Sequence, residues 1–219
     1  AIRLGAFDYI EKPLDYSYLE KIIHNALDML DKEQRNLEIL KKSRPIMVDN
    51  FFHKLILSSS DEARFTLANY TDYLPIKYDY HCFQAIVIRI QNASEIKDNY
   101  GIEEYHIKLM SLSDTIEDLF RDHFSLVHTL TTFDEIVLLI GHNYPNQKSF
   151  YNISYELLEK LIQLYKNNFF ELNIGIGSIV KYLWSLSVSY SNALKSLEYR
   201  FFFPQKNIYT ISDTNDKDY

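Results

Sequence analysis

The chain has 219 residues, of which 47% are apolar and 15% aromatic, which is enough to form a hydrophobic core. Its 30 acidic and 23 basic residues give a net charge of -7, which excludes a general electrostatic attraction to nucleic acids. We expect a cytoplasmic protein, because no apolar run reaches the roughly 20 residues of a membrane-spanning helix and no signal-peptide pattern is present. The single cysteine, Cys82, excludes an internal disulfide.

The first long element is a helix predicted over residues 14–44, where no glycine or proline interrupts the pattern after Pro13. Pro45 is predicted to end this helix and to mark a domain boundary, because proline has no N–H to donate and disfavours helical geometry in the residue before it. Alternating steps of four and three separate its apolar residues, which form a coiled-coil-like seam of about three heptads: Leu19, Ile23, Ala26, Leu30, Leu37 and Leu40.

The seam has two interpretations. It pairs with the same helix of a second chain, which predicts a homodimer, or it packs on the helix's own domain. The polar and charged residues beside it favour pairing, although Glu33 occupies one seam position where an apolar residue is expected. We therefore expect a dimer.

Beyond residue 50 the sequence predicts alternating helices and strands. Two short helices, "FFHKLIL" and "DEARFTLANYTDYL", precede a buried strand over 83–90. A helix follows over 102–124, and its predicted apolar face contains Ile102, Ile107, Met110, Ile116 and Phe120. Two strands, "SLVHTLTT" and "EIVLLIG", form a predicted hairpin around "FD".

The rest of the chain predicts a helix from residue 149, a strand from Leu172, a last helix from Ser185 and one edge strand near residue 208. The fold class that follows is α/β (α+β), with a mixed sheet and packed helices preceded by the long helix. A polar tail is predicted over 213–219.

The stretch "GAFDYIEKPLD", residues 5–15, resembles the end of a response-regulator receiver domain. The resemblance implies that residues 1–30 are a receiver remnant in which Tyr9 is the switch aromatic, Lys12 the phosphate-contacting lysine and Pro13 the cis-proline. A compact ammonium suits phosphoryl oxygens as a point charge. The acidic pocket and the phosphoacceptor Asp would precede Ala1, so we expect this chain to accept no phosphoryl group and Lys12 to be solvated.

Residues 80–212 resemble the nucleotide-cyclase fold of diguanylate cyclases, and a degenerate GGDEF-like domain is expected over 50–212. The pieces that match are "IVIRIQNASEIKDNYG", "TTFDEIVLLI", "LNIGIGS" and "SYSNALKSLEYRFFFPQKNIYTIS". Such a cyclase needs two carboxylates from the first strand and one from the hairpin to hold two divalent metals, and a Gly-Gly turn that lets the backbone approach the nucleotide.

Several of these positions are altered here. The matched residues form what we call the vestigial cleft, which contains Arg89 and Gln91 at the strand positions, Thr132 and Phe133 at the glycine positions, the retained Asp134 and Glu135, and Asp98. A cation at position 89 repels metal ions, and a bulky Phe133 obstructs the turn. We therefore expect no enzyme activity, no catalytic residues, no metal and no cofactor.

A receiver end, a long helix and a degenerate cyclase-like domain, in that order, resemble part of a two-component response regulator of the YesN type, in the AraC family. The resemblance implies a non-enzymatic signal-relay and dimerisation region that controls transcription. Contacts with a cognate sensor histidine kinase and with DNA are expected only through parts that this chain lacks, and no membrane contact is expected. The alternatives are a nucleotide-binding or small-molecule sensor domain and a residual nucleotide cyclase.

Two remaining patterns are weak as functional signals. Gly175 and Gly177 form a Gly-x-Gly that could cradle a phosphate, or that allows a neighbouring helix to come close to the strand, and the second interpretation is favoured. The seven histidines are dispersed without the spacing of a metal site.

Overall fold

The structure, a computed structural model, describes residues 15–58, 76–77, 79–166 and 168–211, without the side chains of residues 33 and 35–47. The chain divides into two compact units, Ala1–Met47 and Val48–Tyr219. The helix predicted in "DEARFTLANYTDYL", residues 1–14 of the predicted receiver remnant and the 213–219 tail lie outside the described residues. The domain limits given above therefore stay predictions.

The long helix, α1, spans Tyr16–Leu57. Asp15 caps its first turn, because the Asp15 Oδ1 accepts hydrogen bonds from the Ser17 hydroxyl at 2.7 Å and from the N–H groups of Ser17 and Tyr18 at 2.9 and 3.2 Å. These hydrogen bonds, that of the Ser17 hydroxyl first, lower the pKa of Asp15. A charged acceptor at this end also interacts favourably with the helix dipole.

The predicted end of this helix at Pro45 is wrong, since α1 continues to Leu57 and includes "FFHKLIL", for which the sequence predicts a separate helix. A proline inside a helix removes one backbone hydrogen bond and costs about 3 kcal/mol. The turns after it bury four large apolar side chains, Phe51, Phe52, Leu55 and Ile56. Burial of such side chains contributes about 1.5–3 kcal/mol each, which more than offsets the proline.

Five strands form one mixed sheet in the order β2-β3-β1-β4-β5. The strands are β1 (Cys82–Ile90), β2 (Ser125–Thr132), β3 (Glu135–His142), β4 (Leu172–Ile176) and β5 (Ile208–Thr210). Strands β2, β3, β1 and β4 pair antiparallel, and β5 pairs parallel to β4 at the edge. The predicted mixed sheet, its central buried strand and the β2–β3 hairpin are confirmed.

In the described part of the second unit, the further α-helices are α2 (Ala93–Tyr100), α3 (Ile102–Phe120), α4 (Gln147–Tyr165) and α5 (Leu186–Glu198). Helices α2, α3 and α4 pack on one face of the sheet, and α5 with the last turns of α1 packs on the other. Strand β1 contributes side chains to the hydrophobic cores on both faces of the sheet. Ile86 and Ile88 point into one core, while Ala85 and Val87 point into the other. The central strand is therefore apolar along most of its length.

The predicted apolar face of α3 is confirmed at Ile116 and Phe120 and is wrong at its other three positions. Ile102, Ile107 and Met110 are exposed. The buried face instead contains Tyr105, Leu109, Leu112, Ile116 and Phe120. Spacing alone does not distinguish two apolar stripes on one helix, because the sheet decides which stripe it covers. Among the described residues, no helix is long and apolar enough to span a membrane.

The two glycines of "NIGIGS" lie where α5 crosses β4 at backbone distance. A Cβ at Gly177 would collide with the carbonyl oxygen of Ser189 and lie 2.6 Å from its hydroxyl oxygen, and a Cβ at Gly175 would collide with the carbonyl oxygen of Ala193. The Ser189 hydroxyl in turn accepts from the Ala85 N–H at 2.8 Å. Close approach of helix and strand, the favoured interpretation of this motif, is confirmed.

Replacing Gly177 by Ala should lower the free energy of unfolding by at least about 2 kcal/mol, because the obstructing atoms belong to a helix backbone that cannot rotate away. Urea denaturation monitored by circular dichroism measures this loss. Ser191→Ala, at an exposed position of α5, is the matched control and should change stability by less than about 0.5 kcal/mol. Equal stability of the two variants would contradict the close approach.

Candidate functional site

The predicted cleft residues meet where the β2–β3 hairpin turns beside the end of β1. Arg89 lies directly opposite Glu135 in the antiparallel pairing of β1 and β3. The Ile90 N–H donates to the Asp134 carbonyl at 2.8 Å, which ties the hairpin turn to the end of β1. The sheet register itself therefore places a cation against the acidic part of the hairpin.

Arg89 and Glu135 form an ion pair, with 2.7 Å between the Arg89 Nη2 and the Glu135 Oε2. The second carboxylate oxygen, Oε1, accepts from the Thr131 hydroxyl at 2.7 Å and from the Tyr190 hydroxyl at 3.4 Å. The Glu135 side chain is 6% exposed and that of Arg89 28%. Both oxygens of a buried carboxylate are thus satisfied within the protein, as a charge in a low-dielectric setting requires.

The hydroxyl of Tyr190 hydrogen-bonds to this carboxylate, and the pKa of Tyr190 reflects the contact. Burial raises the pKa of Tyr190, and the negative charge of Glu135 raises it further. Tyr190 therefore stays protonated and donates to Glu135 across the neutral pH range. Because Tyr190 belongs to α5, this bond links the hairpin to the helix on the opposite side from α3.

The hairpin turn is covered by an aromatic and cationic stack. The Lys97 Nζ lies 3.4 Å from the ring centroid of Phe133 and 4.5 Å from that of Tyr105. The Tyr105 hydroxyl donates to the Phe133 carbonyl at 2.5 Å. Burial and then the charge of Asp134 raise the pKa of Tyr105 to about 12, so this hydroxyl remains a donor. Cation–π contact and hydrogen bond together hold the turn against α2 and α3.

The structure brings together five of the seven residues of the vestigial cleft: Arg89, Thr132, Phe133, Asp134 and Glu135. Thr132 donates its hydroxyl to the Asp134 Oδ1 at 2.6 Å. Gln91 lies in the turn after β1, and its N–H donates to the Glu171 carbonyl at 2.9 Å, toward β4. Asp98 is an exposed residue of α2 and takes no part in these contacts.

Three residues of this site were not predicted from the sequence: Tyr105, Thr131 and Tyr190. Tyr105 lies on the buried face of α3, so a correct prediction of that face would have placed Tyr105 in the core. Thr131 is two residues before the turn on β2 and had no special pattern. Tyr190 is 55 residues from Glu135 along the chain, and only the packing of α5 brings the two together.

Within the described ranges, no three His, Cys, Asp or Glu side chains are grouped so that they could hold a metal ion. Cys82 is buried, and burial raises the pKa of its thiol. Of the predicted seam, Leu19 and Ala26 are half-buried while Ile23 and Leu30 are exposed, and the side chains of Leu37 and Leu40 lie outside the description. Tyr9, Lys12 and Pro13 also lie outside the described residues.

Replacing Arg89 by Met should lower the free energy of unfolding by about 2–3 kcal/mol, because Glu135 is left as a buried charge without its partner. Thermal and urea unfolding measure this loss. The double variant Arg89→Met with Glu135→Leu should recover part of it, since no unpaired charge remains. The control Lys160→Met breaks the exposed pair of Lys160 with Glu156 and should cost less than about 0.5 kcal/mol.

If Arg89→Met and Lys160→Met destabilise the protein equally, the Arg89–Glu135 pair contributes no more than a surface ion pair, and its structural role would be refuted.

Comparison with solved structures finds several GGDEF domains at low similarity. The active GGEEF domain of a diguanylate cyclase from Vibrio cholerae is 17% identical with a TM-score of 0.45, over 60% of this chain and 83% of that chain. An EAL/GGDEF domain protein from M. capsulatus is 14% identical with a TM-score of 0.45, over 62% of this chain and 88% of that chain. The FimX GGDEF domain from Pseudomonas aeruginosa is 10% identical with a TM-score of 0.44, over 69% of this chain and 92% of that chain.

The sequence itself gives the family. No curated protein sequence matches the chain. A family model, described as the GGDEF-like domain, matches residues 62–199, a range that includes β1, the hairpin and α5. This range is more than half of the chain and contains the Arg89–Glu135 pair. The protein therefore belongs to the GGDEF-like domain family.

Proposed function

We propose that this protein is a non-enzymatic relay and dimerisation region, built on a GGDEF-like domain that has lost cyclase chemistry. The observation that carries the proposal is the Arg89–Glu135 ion pair, which occupies the centre of the cleft with an internal cation. A domain of this kind acts through the arrangement of its surfaces and helices. It does not turn over a nucleotide.

The ion pair opposes metal binding in two ways. A guanidinium at the first-strand position repels a divalent cation, and at a few ångströms this repulsion is worth several kcal/mol in a partly buried site. The Glu135 oxygens are already taken by Arg89, Thr131 and Tyr190, so a metal would have to displace these partners. Two-metal catalysis depends on carboxylates that are available to the ions.

The hairpin turn also opposes nucleotide binding. A Gly-Gly turn would let a ligand approach the main chain, whereas here Phe133 carries a ring that is 55% exposed and packs against Lys97. The Phe133 carbonyl is engaged by Tyr105. The backbone that a nucleotide would contact is therefore covered from the side of α2 and α3.

The dimerisation part of the proposal is supported by the first half of α1. Ile23, Leu27, Met29 and Leu30 are each about half exposed, which is costly for a stripe of this length in water. We infer that Leu19, Ile23, Ala26, Leu30, Leu37 and Leu40 pair with the same residues of a second chain. A seam weakened at Glu33 could shift between two registers and so relay a signal.

For the larger protein we propose a two-component response regulator of the YesN type that controls transcription. Support comes from the residues "GAFDYIEKP" in the sequence, with Lys12 and Pro13 at the receiver positions. In such a protein, α1 would connect the receiver to the GGDEF-like domain. The kinase and DNA would be bound by other modules.

Calorimetric titration with GTP and Mg²⁺ tests the loss of cyclase chemistry. We expect no saturable heat and no cyclic dinucleotide after prolonged incubation, because Arg89, Thr131 and Tyr190 already occupy the oxygens of Glu135. The active GGEEF domain of the Vibrio cholerae diguanylate cyclase, assayed in parallel, is the positive control. Stoichiometric GTP binding, or any Mg²⁺-dependent product, would contradict the proposal.

Replacing Leu30 by Glu should convert a dimer to a monomer, because two carboxylates would face each other in an apolar seam. Light scattering coupled to size exclusion measures the mass. Asn25→Glu introduces the same charge at an exposed position beside the seam and should leave the dimer intact. Dimer mass retained by Leu30→Glu would exclude this seam as the interface.

A further inference from the structure

A cavity lies between the C-terminal end of α4, the start of β4 and the segment before β5. Its volume is about 450 Å³. Cavities of this size hold small-molecule ligands in many proteins. We propose that this cavity binds a neutral, polyhydroxylated small molecule such as a sugar or a cyclitol.

The polar lining of the cavity is dominated by carboxamides. Five of them line it: Gln91, Gln163, Asn168, Asn173 and Asn207. A carboxamide offers two donors and an acceptor on one rigid group. A set of such groups therefore matches neighbouring hydroxyls of a ligand, each of which both donates and accepts.

Much of this hydrogen-bonding capacity faces solvent. Gln91, Gln163, Asn168 and Asn207 are exposed and Asn173 is half-buried, so a ligand that displaces water can reach them. Asn207 uses its Nδ2 to donate to the Leu172 carbonyl at 3.2 Å, which leaves its Oδ1 as an acceptor. Asn168 uses its Oδ1 to accept from the Phe169 N–H at 2.7 Å, which leaves its Nδ2 as a donor.

The charge of the lining argues for a neutral ligand. It contains one cation, Lys166, and one anion, Glu171, so the formal charges cancel. A phosphate or a carboxylate is normally held by an excess of cations or by a cluster of backbone N–H groups. Hydroxyl groups need no such excess, because they hydrogen-bond to amides without a net charge.

Apolar groups supply the remaining wall. Phe170 and Leu172 line the cavity and are only 2% and 3% exposed, and Tyr165 stacks on Phe170 with ring centroids 6.4 Å apart and planes at 21°. The C–H faces of a sugar ring pack well on aromatic and aliphatic surfaces, while its hydroxyls point to polar groups at the edge. A lining with more polar than apolar surface and an aromatic wall suits a ligand that has many hydroxyl groups and an apolar ring face.

Hydrogen bonds fix the rim before any ligand arrives. The Asn92 Nδ2 donates to the Phe169 carbonyl at 3.0 Å, and its Oδ1 accepts from the Glu171 N–H at 3.0 Å. The Ile174 N–H donates to the Asn207 carbonyl at 2.7 Å. A rim that is already ordered loses little conformational entropy on binding, which favours affinity.

An NMR titration of a ¹⁵N-labelled sample tests the proposal. It follows the side-chain NH₂ signals of the five carboxamides as a ligand is added. The neutral probes are glucose, maltose and myo-inositol. Glucose 6-phosphate is the charged analogue of glucose and serves as the comparison. We expect saturable shifts of these signals with at least one neutral probe and weaker binding of the phosphorylated sugar. The signals of Asn25 and Asn99, exposed residues of α1 and α2, should not move.

Two variants locate the binding. Asn173→Ala and Gln163→Ala truncate side chains at half-buried and exposed positions of the lining, so both should fold, and each should raise the dissociation constant about tenfold. Asn99→Ala is the matched control and should bind as the parent does. Absence of saturable shifts with all three neutral probes would overturn the proposal. So would equal binding of the control and the two cavity variants, or preferential binding of glucose 6-phosphate.

Discussion

The carboxylate of Glu135 is the constraint on which the centre of this domain depends. It is a buried charge, and a buried charge is tolerated only when its partners lie in place around it. Those partners come from three other elements: Arg89 from β1, Thr131 from β2 and Tyr190 from α5. One carboxylate therefore links the hairpin to the central strand and to a helix on one face of the sheet. The aromatic contacts of the turn with α2 and α3 complete the attachment on the other face.

Under the proposed non-enzymatic function, the same ion pair would both stabilise the fold and oppose metal binding. A set of acidic groups that holds a metal must be partly unsatisfied in the empty protein, which costs stability. Here a guanidinium supplies a positive charge beside Glu135 within the protein itself. An arginine at position 89 would then stabilise the hairpin at the expense of a metal site, an exchange that would suit a domain acting through its shape and contacts.

Local sequence patterns were sufficient to predict most strands of the sheet. Strand β1 and the hairpin are short apolar runs separated by turn residues, and both follow from propensity and alternation. The path of α1 through Pro45 could not be predicted locally, because the burial of Phe51 and Phe52 on the sheet decides it. The first half of the buried side of α3 was not predicted for the same reason, whereas Ile116 and Phe120 were. Tyr190 beside Glu135, and Asn207 near Gln91, are brought together only by the tertiary fold.

The contact of Gly175 and Gly177 with α5 also has a geometric consequence. The backbone of α5 comes so close to the two glycines that a Cβ at either position would collide with the carbonyl oxygen of Ser189 or Ala193. Main-chain atoms of α5 therefore limit the spacing of helix and strand, unlike the spacing of α3 and the sheet, which large side chains set. A larger residue at either glycine would have to push α5 away from β4, and with it Tyr190 away from Glu135.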